Sequence, residues 1–271
     1  MITESPLCKS FPREAAPIYG DMFGNGAGSF RLIQLAVMTV ISPLVVSPPD
    51  AFERGITTLI SDAISTAIAA ADHHDIDMRN TLARSSVSSS ALYLEACANC
   101  CLDHLGLGTR LADELDRLPT LTKFDLYLHI RFKGRSLDRS RVEVQGYGEL
   151  KTLRDAFVHP RAQRIEWLDW SEERSASTSP RSKSLKLAKV PAYLWAEDAV
   201  IALRAAHSFA RYFFIDCARL RPSQVSALIH SESAVPDLNE KIYSCWSKST
   251  RSWLKQHGVS LDYMKISWTN G

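Results

Sequence analysis

An all-α, up-and-down helical bundle with an irregular N-terminal arm and a C-terminal extension is the fold class that this sequence predicts. Apolar residues recur at three- and four-residue spacing through several long stretches. Short breaks rich in Pro, Gly or Ser separate those stretches. Strand-like alternation does not persist over several elements, and no internal repeat stands out. The 271 residues suit one large domain or two small ones. With 45% hydrophobic and 23% charged residues the chain can build a packed core, which excludes wholesale disorder. The net charge of +2 is too weak to mark a nucleic-acid binder, so local charge has to carry any such argument.

Residues 1–49 form the arm, with Gly20, Gly24, Gly26 and Gly28 close together. The glycines lack the following Lys-Ser/Thr of a phosphate loop, so they read as turns. Residues 32–41 are a short buried helix or strand, which periodicity alone does not decide. Asp50 is placed to cap a helix running to about Asp72, with Ile56, Leu59, Ile60, Ala63, Ile64, Ala67 and Ile68 recurring at helical spacing. His73 and His74 follow at its C-terminal end, where cations are favoured. The serine run Ser85 to Ser90 is expected to start the next helix, which continues to about Leu105. Leu94, Cys97, Ala98, Cys101, Leu102 and Leu105 make its apolar stripe, and Glu95, Asn99 and Asp103 a polar line beside it. Cys97, Cys101 and His104 have no second Cys or His pair nearby to complete a zinc site, so they read as core, and no metal or cofactor is expected.

Shorter helices are expected over Thr109–Leu118 and Thr122–Phe132, and another over Gly148–Val158. Between the last two, the 131–141 stretch holds five basic residues and one acid, Asp138. Residues 171–189 are polar and low in complexity, and read as a mobile insertion. Pro191 leads into a long helix from about Trp195 to Leu220, stopped by Pro222. Residues 50–220 thus make the main helical domain. Residues 221–271 are its extension, with helices at 223–230 and 237–257, the second closed by Gly258.

Six cysteines, no basic start followed by an apolar run, and no uninterrupted apolar stretch of about 20 residues predict reduced thiols in a cytoplasmic protein without a membrane span.

Chemistry concentrates at Arg154-Asp155-Ala156-Phe157-Val158-His159. A guanidinium holds a phosphate through paired hydrogen bonds. An imidazole gives or takes a proton near neutrality. Together they suffice, in principle, for metal-free cleavage of RNA. A base deprotonates the ribose 2′-hydroxyl, and a cation stabilises the charge gathering on the phosphoryl oxygens. DNA lacks that hydroxyl and would survive. Arg154 and His159 are five residues apart, about 140° around an ideal helix. Pro160 disfavours helical geometry at His159, which places the imidazole at the helix end. One Arg and one His make a sparse site, and a two-fold dimer would double it. Arg135, Arg139 and Arg141, just upstream, are candidates to hold RNA.

At Arg154, Asp155 and His159 the chain resembles the HEPN superfamily, whose signature is Arg, a polar residue, three further positions, then His. The stretch Ser89 to Asn99 is similar to the early family helix that carries an acidic residue among apolar ones. The resemblance spans roughly residues 50–220. It implies a helical bundle, commonly a homodimer, with Arg and His at the dimer cleft. It also implies a metal-independent endoribonuclease of toxin–antitoxin or antiviral systems, with RNA as substrate and an antitoxin or regulatory protein as partner. Some members are inactive and serve as nucleotide- or partner-binding dimerisation modules. On this resemblance Arg154 engages the scissile phosphate, His159 transfers protons, Asp155 orients one of them or a partner residue, and Glu95 and Asn99 line the cleft.

Overall fold

The computed structural model describes residues 51–52, 54–171, 175–230, 232–233 and 245–269. The N-terminal arm, the 32–41 segment and the expected cap Asp50 lie outside the described residues. The fold is all-α, built around one long central helix.

Helix α1 (Ile56–Asp72) buries Ile56, Ile60, Ala63, Ile64, Ala67 and Ala70, one stripe at helical spacing. Gly55 caps it in the left-handed conformation, φ 66°, which favours glycine. Three residues turn the chain into α2 (Ile76–Asp103), so the two helices run antiparallel as close neighbours. Small residues on both sides permit the approach, and Ser86 Oγ donates to the Ala63 carbonyl at 2.7 Å. Helix α2 begins nine residues before the serine run. Asp75 supplies the start, its carboxylate accepting the Met78 amide at 2.8 Å. The serines sit mid-helix, and Ser86 and Ser90 are buried. Serine marks a helix start only when its hydroxyl is free to cap; here Ser85 and Ser86 bond to carbonyls instead.

Helix α2 then packs on α4 (Thr120–Arg131), α5 (Val142–Val158) and α6 (Ala196–Arg211), with the short α3 (Thr109–Asp116) at its C-terminal end. Cys97 and Cys101 are fully buried in this core, as their place on the apolar stripe predicts. Helix α5 begins at Val142, six residues before the expected start at Gly148. Gly146 is buried there because Leu185 crosses it; an added Cβ would lie 3.2 Å from Leu185 Cδ2.

The 160–190 connection departs most from its sequence reading. Strands β1 (Ala51–Phe52) and β4 (Glu232–Ser233) pair, as do β2 (Glu166–Trp170) and β3 (Ser175–Thr178), and β5 (Cys245–Ser247) and β6 (Ser267–Thr269). Strand β3 falls within the 171–189 segment read as a mobile insertion, and pairs with β2 just before it. After it the chain lays Leu187 and Ala188, each 1% exposed, into the core. Two buried anchors within a polar stretch suffice to order it, and composition averages them away.

Helix α6 passes into a π-helical turn, Tyr212–Cys217, which brings Phe213 and Phe214 into the core beside Phe124. It therefore stops short of the predicted Leu220. Helix α7 (Pro222–Ile229) occupies the stretch read as a helix at 223–230, with Pro222 at its first position, where a missing N–H costs no helical hydrogen bond. Of the predicted 237–257 helix, the described part is β5 followed by α8 (Lys248–Gln256), with Gly258 beyond it at φ 65°. The extension completes the core through Val259, Leu261, Tyr263 and Met264. Among the described residues no helix is long and apolar enough to cross a membrane.

Candidate active site on helices α2 and α5

Helix α5 turns Val144, Tyr147, Leu150 and Leu153 into the core. This leaves Arg154 at the margin, facing α2. Its Nη2 donates to Glu95 Oε2 at 2.7 Å, and its Nη1 lies 3.3 Å from Asp155 Oδ1. The Arg154 side chain is 19% exposed, against 35% for each carboxylate, so the guanidinium is the more enclosed partner. Lys151 Nζ, one turn back, donates to Asp155 Oδ2 at 2.5 Å. Two cations and two carboxylates thus form one chain across the α2–α5 seam. Tyr147 lies beneath it. Burial pushes its phenol up to about 12, and the Glu95 carboxylate adds to the effect.

His159 caps α5. Its φ of −126° leaves the helical region, as the following proline requires, and its amide donates to the Asp155 carbonyl at 2.8 Å. The residue is exposed, together with Pro160, Arg161 and Arg164 after it. The sequence reading of His159 at a helix end therefore matches the geometry.

The structure brings Arg154, Asp155 and Glu95 together, and holds His159 one turn beyond Asp155. Asn99, one turn further along α2 than Glu95, belongs to a neighbouring cluster. Its Oδ1 accepts from Lys123 Nζ at 2.7 Å, and the same ammonium reaches Asp116 Oδ1 at 2.7 Å. Lys123 is 3% exposed, a buried charge between α2, α3 and α4. Sequence reading missed Lys123, Tyr147 and Lys151; the i,i+4 relation of Lys151 to Asp155 was the available signal.

Arg135, Arg139 and Arg141 lie at the other end of α5. Thirteen residues of helix separate Arg141 from Arg154, about 20 Å. Each is engaged locally. Arg135 donates to the Cys217 carbonyl at 2.9 Å. Arg139 pairs with Asp125. Arg141 pairs with Glu143 at 2.9 Å and lies 5.1 Å over the Tyr212 ring. These arginines hold the α4–α5 loop against the π-helical turn, and the structure does not gather them around Arg154 and His159.

Chemically, the Arg154 cluster offers a guanidinium aligned by two carboxylates and, one turn away, an exposed imidazole. Comparison with protein-family models, curated proteins and solved structures returns no match.

Proposed function

We propose that the chain is a metal-independent endoribonuclease of the HEPN type, cytoplasmic and homodimeric, acting in a toxin–antitoxin or antiviral setting under an antitoxin or regulatory protein. The observation that carries this reading is the alignment of Arg154 by Glu95 across the α2–α5 seam, with His159 exposed at the adjoining helix end. A fixed guanidinium binds phosphate with little loss of side-chain freedom. An exposed imidazole exchanges protons with a ribose hydroxyl or a leaving oxygen. A second copy related by two-fold symmetry supplies the second base that a single protomer lacks.

A second reading has its own support. Arg154 already satisfies two carboxylates, and an incoming phosphate has to displace at least one of them. An inactive HEPN-like module, binding a nucleotide or a partner protein, keeps those pairs intact. Incubation of a mixed RNA pool with the full chain in excess EDTA separates the two. The enzyme reading expects cleavage by wild type with 2′,3′-cyclic phosphate ends, no cleavage of DNA, and a loss of at least about a hundredfold in Arg154→Ala and His159→Ala. Absence of cleavage by folded, dimeric wild type favours the binding module.

A further inference from the structure

A cleft of about 560 Å³ opens on the other side of α5 from Arg154. Glu149, Thr152, Leu153 and Ala156 face it, all about 100–160° around the helix from Arg154. The 180–190 loop forms the opposite wall. The floor is apolar and the rim is cationic, with Arg164, Lys183 and Lys189 on it. Among the described residues, none of these three side chains has a hydrogen-bond or ion-pair partner.

The acid in the cleft is committed. Glu149 accepts from Ser182 Oγ at 2.7 Å, from the Ser184 amide at 2.7 Å and from the Leu185 amide at 2.8 Å. Burial opposes its charge, but these hydrogen bonds outweigh burial and hold the carboxyl below its usual range. Glu149 therefore secures the wall and pairs with none of the three rim cations, so three cations against one carboxylate leave the cleft net positive. The wall is tied elsewhere too. Ser179 Oγ accepts the Val190 amide at 2.8 Å, and Arg181 reaches the buried Asp198 at 2.5 Å. A preformed cleft binds without first ordering its own loop.

Three unpaired cations above a hydrophobic floor call for an anion with an apolar body. Their number exceeds what one carboxylate satisfies and suits a doubly charged phosphate. The volume is that of sites for nucleoside- or sugar-sized ligands. We propose that this cleft binds a small phosphorylated organic molecule, with its phosphate at Arg164, Lys183 and Lys189 and its body on Leu153 and Leu187.

Titration calorimetry on the full chain tests this with ADP, glucose 6-phosphate, phenyl phosphate, inorganic phosphate and laurate. At least one organic phosphate is expected to saturate, at least tenfold tighter than inorganic phosphate. The double variant Lys183→Glu, Lys189→Glu should weaken it at least tenfold, with the unliganded thermal midpoint unchanged because both side chains are exposed. Arg154→Ala should leave the affinity as it is, which keeps this site separable from RNA cleavage. Failure of all three organic phosphates to saturate overturns the proposal, as does binding undiminished in the double variant. Laurate binding without phosphate binding also overturns it, in favour of a carboxylate amphiphile.

Discussion

Lys123 shows what one enclosed charge demands of its neighbours. Its ammonium is almost wholly removed from water, while Asp116 on one side is 70% exposed. The amide of Asn99 is therefore the partner that water does not easily replace. Asn99→Ala should cost about 1–3 kcal/mol, the range for leaving a buried polar group short of a partner. Asp116→Asn should cost less than Asn99→Ala, since an acceptor oxygen remains there and water reaches that 70% exposed side. Urea midpoints of the two variants check the order. At this scale the sequence made Arg154, Asp155, Glu95 and His159 legible, because spacing along a helix and a following proline both constrain position. It did not reveal that Asn99 answers to Lys123. Residues 24 apart are brought together by tertiary packing, which leaves no local signature.

The longer helices were legible as elements because they bury stripes with helical period, and α1 is the clearest case. Their ends were less so. Gly146 reads as a helix breaker in isolation, yet Leu185 fills the space over its missing side chain and α5 runs through it. The 179–190 wall was misread for a related reason: its order depends on one carboxylate of a helix 30 residues earlier. Glu149→Ala removes the acceptor of both the Ser184 and Leu185 amides. Hydrogen exchange at those two amides should then accelerate at least about tenfold, equivalent to about 1.4 kcal/mol of local opening, while amides in the middle of α2 keep their protection. Unchanged exchange at Ser184 and Leu185 would show that the loop stands without Glu149.

Across the whole molecule, the C-terminal extension is joined to the bundle by buried polar groups as well as by apolar contact. Tyr263 Oη lies 2.6 Å from Tyr93 Oη on α2 and 2.6 Å from His207 Nδ1 on α6. Burial drives the His207 imidazole down to about 3, so the folded protein holds it neutral. The unfolded chain, with an ordinary histidine near 6.5, binds that proton more readily. Stability from this group is complete above about pH 6.5 and is lost as the pH falls from there towards 3. Between pH 7 and 5 the loss should be about 2 kcal/mol, and His207→Gln should flatten that part of the urea-midpoint profile. An equal slope in the variant would assign acid sensitivity to other groups. The same three side chains carry a further constraint. Tyr263 has a single hydroxyl hydrogen and two short contacts, so it donates to one neighbour and accepts from the other. Either Tyr93 donates to Tyr263 and Tyr263 to an imidazole protonated on Nε2, or the imidazole bears its hydrogen on Nδ1 and the whole row is reversed. The tautomer of a histidine on α6 is thereby locked to the direction in which a tyrosine hydroxyl on α2 points.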